Sequence, residues 1–326
     1  MGWLTGWAKR KSHVLNSATG AGTGYQVKIT AYKTTGVDAN GSVYLGTNVR
    51  DDFGDVRFTD DNGTTLLDYW MESLVSGVSA VFWVEVADSL ESVNQTIYIY
   101  YKYDAITTTS NGPNTFPLLF DHFDAASLDD TIWVTPQVHA SISSSKVTLQ
   151  DDNGIWQYLE TDATFGAGGV AMRCKAQITG RNSNTGVDIT FNTTGGNSRV
   201  DILYFATLNL VRCIKNGTGS SANSNVDTNE NIYEMDWISD HVHYFINDVE
   251  MTGSPITSNV PTVALKVSFQ NTNASGQTSK VIVDWVLVRK YVHPEPVHST
   301  WGSEENVPSL KAGMSIVFLA EEMILG

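Results

Sequence analysis

Residues 53–72 constrain the fold of this chain more than any other stretch. They read FGDVRFTDDNGTTLLDYWME, in which Val56 and Phe58 alternate with polar neighbours as in a half-buried strand. The Asn62-Gly63 pair tolerates positive φ and indicates a tight reversal before a second apolar strand through residues 66–71. Because two strands alone are marginally stable, we expect this hairpin to lie on a larger sheet.

Similar short alternating segments recur along most of the chain. They include residues 25–32, 80–86 and 94–103, followed by about ten more candidates between residues 146 and 290. The 326 residues are 41% hydrophobic and only 17% charged, a mixture that suits short strands joined by turns. A chain of this length usually needs more than one core. We therefore predict an all-β protein made of two antiparallel β-sandwich domains.

Composition divides the chain into four expected segments. Residues 1–106 form a small β-sandwich, residues 107–117 (TTTSNGPNTFP) a linker, residues 118–303 a larger sandwich of jelly-roll type, and residues 304–326 a short apolar tail. The tail carries Met314, Ile316, Phe318 and Leu319. Either it docks on its own domain, or it packs on a neighbouring subunit as an assembly segment, since a solvated tail would not carry so many apolar residues.

The net charge and the apolar runs exclude several partners. A net charge of −15 argues against nucleic acid, which needs clustered Lys and Arg. No apolar run approaches the roughly 20 residues that span a bilayer, and the N-terminus lacks the apolar region of a secretory signal peptide. The expected partners are other copies of the chain, neighbouring subunits of an assembly, or cell-surface glycans.

The N-terminal part, residues 2–103, resembles domain-of-unknown-function family 2341, a β-rich module of surface proteins. The resemblance rests on GDVRF at 54–58, DNGTTLL at 61–67, YWME at 69–72, AVFWVEV at 80–86 and TIYIYY at 96–101. Residues 119–303 resemble a concanavalin A-like (laminin-G or lectin-type) sandwich through FDHFD at 120–124, Trp133, DWVLVRKY at 284–291 and PEP at 294–296. These resemblances imply two β-sandwiches and a habit of binding glycans or other surfaces, and they bring no catalytic residues.

Glu234 and Asp236 resemble part of the Glu-x-Asp-x-x-Glu pattern of concanavalin-like laminarinases, whose alternate positions point carboxylates into one cleft. Ser239 stands where the third carboxylate would, so the general acid is missing and we expect no enzyme activity. We expect both carboxylates in solvent, with sugar or cation contact as the alternative. His241 and His243 share one face of the next strand, but the sequence places no third metal ligand beside them.

Two further sets of residues are candidate binding sites. Exposed aromatic rings are natural sugar platforms, and the candidates are Trp156, Tyr158 and Trp237, with core packing as the alternative. Acidic residues in predicted turns could accept calcium, although turn propensity also explains them. The candidates for calcium, the one cofactor left open, are Asp151, Asp152, Asp121 and Asp124.

Taken together, these observations predict a non-enzymatic structural and attachment protein. The expected location is the surface of a virus particle or a similar extracellular assembly, because modules of surface proteins occur here without a visible export signal. A carbohydrate-binding lectin-like module of a cell-surface protein is the first alternative. A glycoside hydrolase is the second.

Overall fold

The computed structural model describes residues 2–134, 140–151, 156–166, 169–179, 186–205, 208–272 and 279–308. Its elements are β1 (Lys9–Asn16), β2 (Tyr25–Tyr32), β3 (Ser42–Tyr44), a 3-10 turn (Gly46–Asn48), β4 (Arg57–Thr59), β5 (Tyr69–Val75), β6 (Ser79–Val86), β7 (Gln95–Tyr101), α1 (Gly112–Thr115), β8 (Leu119–Asp121), β9 (Ala140–Ser143), β10 (Lys146–Asp151), β11 (Gln157–Glu160), β12 (Val170–Thr179), β13 (Gly186–Asn192), β14 (Arg199–Phe205), β15 (Leu208–Lys215), β16 (Thr218–Asn223), β17 (Glu230–Trp237), β18 (Val242–Ile246), β19 (Val249–Glu250), β20 (Lys266–Thr272), β21 (Ser279–Lys290), β22 (Val297–Trp301) and β23 (Glu305–Asn306). The predicted all-β architecture is confirmed. Neither helix in these ranges has the length and hydrophobicity to cross a bilayer.

The first sandwich packs two sheets around one core. One sheet has the strand order β22-β1-β7-β4 with β23 also paired to β1, and the other has the order β3-β2-β6-β5. All of these pairs are antiparallel except β2 with β3. Leu15 and Ile99 from the first sheet meet Ile29 and Phe82 from the second in the core.

The late strands β22 and β23 correct the expected segment boundaries. β22 lies inside the expected second domain and β23 inside the expected tail, yet both pair with β1 of the first sandwich. The physical reason is that β1 would otherwise present an unpaired edge, which the returning chain covers. The assembly-segment residues Met314, Ile316, Phe318 and Leu319 lie outside the described residues, as does Asp152.

The predicted hairpin at residues 53–72 is only partly correct. The reversal exists, with the Asp60 amide donating to the Thr65 carbonyl and the Leu67 amide donating to the Phe58 carbonyl, each at 3.0 Å. However, β4 pairs with β7 in one sheet, and β5 pairs with β6 in the other. The two strands face each other across the core, where the rings of Phe58 and Tyr69 lie 5.5 Å apart. The expected second strand therefore crosses to the opposite sheet.

The second sandwich is larger and has the expected jelly-roll type of architecture. Its eight-stranded sheet has the order β19-β18-β17-β12-β21-β10-β9, with β8 also paired to β21. Its six-stranded sheet has the order β11-β20-β13-β14-β15-β16. Met172 and Met235 from one sheet and Ile189 and Val267 from the other belong to its core. A two-residue turn at 247–248 joins β18 to β19, with φ values of 51° and 64° that suit a type I′ hairpin.

The two sandwiches pack sheet against sheet. Trp70 of β5 and Trp83 of β6 contact a cluster that contains Phe116, Trp285 and Leu287, the last two on β21. This packing follows from strand alternation, because residues 285 and 287 point away from the core that residues 286 and 288 enter. The outer face of the eight-stranded sheet is therefore covered by the outer face of the β2-β6-β5 sheet.

Candidate functional site

A cluster of buried charges lies where the two sandwiches meet. On β17, Met235 and Trp237 enter the core, so Glu234 and Asp236 point toward the first sandwich. Glu234 is 7% exposed and Asp236 is 5% exposed. The expectation that both carboxylates are solvated is therefore wrong, because the first sandwich covers the face on which they stand.

Arg173 on β12 links the carboxylates of both sandwiches. Its side chain is fully buried, and its Nε and Nη2 atoms donate to the two oxygens of Glu72 on β5, each at 2.9 Å. Its Nη1 donates to Glu234 Oε2 at 2.6 Å and to Asp248 Oδ1 at 2.8 Å. Because one guanidinium satisfies carboxylates from both sandwiches, Arg173 holds the two sandwiches in one arrangement.

Arg289 on β21 continues this network at its other end. Its Nη2 donates to Glu234 Oε1 at 3.0 Å, and its Nη1 donates to Glu295 Oε1 at 2.5 Å. The guanidinium carbon lies 5.1 Å from the centre of the Trp83 ring. Each oxygen of Glu234 thus accepts from a different arginine, one from Arg173 and one from Arg289.

The two carboxylates on β17 differ in ionisation. Burial opposes the charge on Glu234, but the charges of Arg173 and Arg289 hold its pKa below its usual value. Burial raises the pKa of Asp236 well above its usual value, and the adjacent charge of Glu234 raises it further. These opposite shifts favour the charged form of Glu234 and the protonated form of Asp236, and a protonated carboxyl group can donate a hydrogen bond.

A cleft of about 410 Å³ opens between the sandwiches beside this network. Gln26 and Lys28 of β2, together with Glu234, Asp236 and Arg289 of the second sandwich, line it. Within the described ranges, three atoms of its buried side chains lack a hydrogen-bond partner, namely Gln26 Oε1, Asp236 Oδ1 and Arg289 Nε. These side chains are 2%, 5% and 3% exposed, so polar groups without partners are concentrated at this inter-sandwich cleft.

The structure separates the three aromatic residues proposed as a glycan platform. Trp237 is completely buried and donates from Nε1 to the Pro261 carbonyl at 3.2 Å, so the prediction of a platform there is wrong. Trp156 is 43% exposed and its ring lies 6.0 Å from that of Tyr158. Tyr158 lies on β11, an edge strand of the six-stranded sheet and outside the inter-sandwich cleft. A sugar platform at that pair stays a prediction.

The candidate calcium residues lie in two different places. Asp121 accepts from the Phe123 amide at 2.8 Å and from Trp133 Nε1 at 2.6 Å, so its carboxylate holds the following loop. Asp124 is exposed. Asp151 ends β10, and its side chain, like Asp152, lies outside what the structure describes. Calcium at these residues stays a prediction.

His293 joins the two histidines that the sequence placed on one face. One ring nitrogen from each of His241, His243 and His293 lies within 4.8 Å of the others. Sequence reasoning missed His293 because it follows β21, fifty residues after His243, and no spacing rule connects them. The local motif HPEP at 293–296 gave no metal-binding signal.

Comparison with protein families confirms the resemblance of the N-terminal part over a limited range. The family described as Domain of unknown function (DUF2341) matches residues 52–136. The expected resemblance over residues 2–103 is thus confirmed from residue 52 onward, and the match extends past β7. No curated protein sequence matches the chain.

Several solved structures share the fold of about half of the chain. A β-glucanase of Bacillus licheniformis is 14% identical and covers 53% of this chain and 97% of its own, with a TM-score of 0.44. A β-1,3-glucanase of Mycobacterium marinum is 12% identical over 52% of this chain and 97% of its own, with a TM-score of 0.43. A β-1,3-1,4-glucanase (lichenase) from a mouse hindgut metagenome is 13% identical over 53% and 99%, with a TM-score of 0.44.

These structures correct the expected function. The sequence led us to expect a structural and attachment protein displayed on a virus particle, but the structures that this chain resembles are glucanases. The virion interpretation is therefore wrong. At this level of identity the likeness concerns the fold, so any statement about ligand or chemistry has to rest on the site.

Proposed function

We propose that this protein is a carbohydrate-binding protein that holds a neutral saccharide in the inter-sandwich cleft. The observation that carries the proposal is the group of buried atoms without partners, Gln26 Oε1, Asp236 Oδ1 and Arg289 Nε. A sugar hydroxyl both donates and accepts hydrogen bonds, so it can serve an amide oxygen, a protonated carboxyl group and a guanidinium N–H in one small volume. The cleft volume lies in the range typical of small-molecule sites.

The charges of the cleft favour a neutral ligand over a charged one. Lys28 pairs with Asp248 at 2.6 Å, and Arg289 pairs with Glu234 at 3.0 Å and with Glu295 at 2.5 Å. These charges already compensate each other. A charged ligand could therefore form an ion pair here only by breaking one that exists. The half-buried ring of Phe245 adds apolar surface on which a sugar ring can pack.

We further propose that the cleft binds without cleaving. Both oxygens of Glu234 accept from buried arginines, which stabilises the carboxylate and makes it a weaker nucleophile toward a sugar carbon. Ser239 occupies the position at which the laminarinase pattern has its general acid. Hydrolysis of a glycosidic bond needs both an acid and a second carboxylate.

Calorimetric titration with neutral oligosaccharides tests the proposal, starting with β-1,3- and β-1,3-1,4-linked glucans. Replacing Gln26 by leucine removes an acceptor from the cleft and should weaken binding about tenfold. The matched control is Gln157→Leu, because Gln157 is also buried, also has an unpartnered Oε1, and lies on β11 outside the cleft. Equal loss of affinity in both folded variants, or no binding of any saccharide, would contradict the proposal.

Glycoside hydrolysis is the second candidate function, and one observation favours it. The pKa of Glu234 is lowered while the pKa of the adjacent Asp236 is raised, and two carboxyl groups whose pKa values are pushed apart are what acid-base catalysis uses. In that case Asp236 would supply the proton to the leaving sugar. Release of reducing ends from β-glucans by the wild type, lost in Asp236→Asn, would establish hydrolysis. Absence of turnover in the wild type would reject it for those substrates.

A further inference from the structure

The three histidines His241, His243 and His293 form a compact cluster beside the inter-sandwich cleft. Their ring centres lie 4.9 Å (241 to 243), 4.8 Å (241 to 293) and 5.3 Å (243 to 293) apart. His243 lies on β18 directly across from Asp236 on β17, and His293 lies in the loop after β21. The cluster therefore connects β18 of the eight-stranded sheet to the chain that returns to the first sandwich.

In each of the three histidines, Nδ1 is the ring nitrogen that lies within hydrogen-bond distance of a neighbouring oxygen. His241 Nδ1 lies 2.9 Å from Asp240 Oδ1, and His243 Nδ1 lies 2.7 Å from Glu250 Oε1. His293 Nδ1 lies 3.2 Å from the hydroxyl oxygen of Tyr291. An Nδ1–H that donates to an oxygen leaves the Nε2 lone pair available, which is how histidine ligands of metal ions are usually oriented.

The nitrogen on the opposite side of the His241 ring is buried without a partner. His241 Nε2 has no hydrogen-bond partner and almost no solvent contact, while the side chain as a whole is 16% exposed. A buried nitrogen lone pair without a partner is costly in a folded protein. This nitrogen belongs to a cluster of three imidazoles that can bind one ion together.

We infer that His241, His243 and His293 bind one divalent transition-metal ion of the zinc class through their Nε2 atoms. Imidazole nitrogen is a preferred ligand of zinc, and three histidines with an open fourth position are a known arrangement. In a tetrahedral site, zinc–nitrogen bonds of about 2.0–2.1 Å place the ligand nitrogens about 3.4 Å from one another. The ring nitrogens lie within 4.8 Å of one another, so they must approach by up to about 1.4 Å to reach that spacing, and the exposed His293 has room to move inward.

The surroundings of the cluster suit such an ion. Glu250 also accepts from Ser254 Oγ at 2.8 Å, so the carboxylate that orients His243 is itself held in place. A depression of about 570 Å³ is lined by His243 and His293 together with Asp236, which gives an ion a path from solvent. The inference does not depend on saccharide binding, since the two sites use different side chains apart from Asp236.

Zinc titration of the full chain, purified without a histidine tag and freed of metal by a chelator, tests the inference. Calorimetry should show one zinc ion per chain, and cobalt should give the visible absorption of a low-coordinate site. His293→Ala should abolish stoichiometric binding, and Glu250→Gln should weaken it 10- to 100-fold without removing a ligand. His122→Ala is the matched control, because His122 is an exposed histidine outside the cluster, and it should bind as the wild type does.

Two results would overturn the inference. One is a wild type that binds no zinc at micromolar concentration. The other is a folded His293→Ala variant that binds zinc as tightly as His122→Ala. Circular dichroism checks folding, and Glu250→Gln keeps the test decisive if a ligand variant fails to fold.

Discussion

Replacement of Arg173 by methionine should destabilise the protein more than any other change to the charge network. Its buried guanidinium satisfies both oxygens of Glu72 and one oxygen of Glu234. The methionine leaves Glu72 with the Trp83 indole N–H but no cation among the described residues. It leaves Glu234 with Arg289 as its guanidinium partner. Removing one partner of a buried ion pair costs about 3–5 kcal/mol. Asp248 adds little to this, because its side chain is 51% exposed. The loss is a large part of the roughly 5–15 kcal/mol that stabilises a typical protein.

Urea unfolding followed by tryptophan fluorescence measures this cost, since Trp70, Trp83 and Trp285 lie at the contact between the sandwiches. Adding Glu72→Gln to Arg173→Met removes the buried charge that has lost its guanidinium, so the double variant should recover about 1–3 kcal/mol. The control is Lys28→Met at the exposed rim, where the loss should stay below about 1 kcal/mol. A loss below about 1 kcal/mol in Arg173→Met, or no recovery in the double variant, would refute the reasoning.

Three other changes test other parts of the structure. Burial raises the pKa of Asp188 to about 7, so the folded state holds a proton that the unfolded state releases, and stability should fall as pH rises from about 4 to 7. Asp188→Asn should therefore gain stability over the wild type at pH 8 but not at pH 4, as denaturation midpoints at both pH values would show. Trp70→Ala should cost about 3–5 kcal/mol of unfolding free energy, because its ring contacts Trp285 at 5.0 Å between the sandwiches; a urea midpoint close to that of the wild type would contradict this. Gly169→Ala should lower the thermal midpoint strongly, since φ is +113° and a Cβ would lie 2.2 Å from the Tyr291 carbonyl oxygen; a variant as stable as the wild type would show that the backbone can shift.

Much of the local structure could be predicted from the sequence. The alternation at residues 25–32 predicts β2 with its observed bounds, and the Asn247-Asp248 pair predicts the turn between β18 and β19. Phe58 enters the core as its alternation indicates. These predictions succeed because strand period and turn chemistry depend on neighbours within a few residues.

The same local patterns do not predict which strands pair, or whether the polar face of a strand is solvated or buried. Alternation shows that Glu234 and Asp236 share a face, but it does not show that another sandwich covers that face. Likewise, the Asn62-Gly63 pair predicts the reversal at residues 60–65, whereas no local signal predicts that the chain crosses from β4 to β5 in the opposite sheet. Both outcomes depend on contacts between residues far apart in the chain, and local sequence carries no signal for them.

In the candidate sites, too, local sequence predicts which residues share a face but not which distant residues they contact. Trp237 is a candidate sugar platform in the sequence as an aromatic ring, but the core of the second sandwich buries it. The pairing of Arg173 with Glu72 and the approach of His293 to His241 join residues about 100 and 50 positions apart. The sequence supplied the residue types and the faces on which they lie. Only the packing of one sandwich on the other, and the return of the chain after β21, decided which of those residues meet.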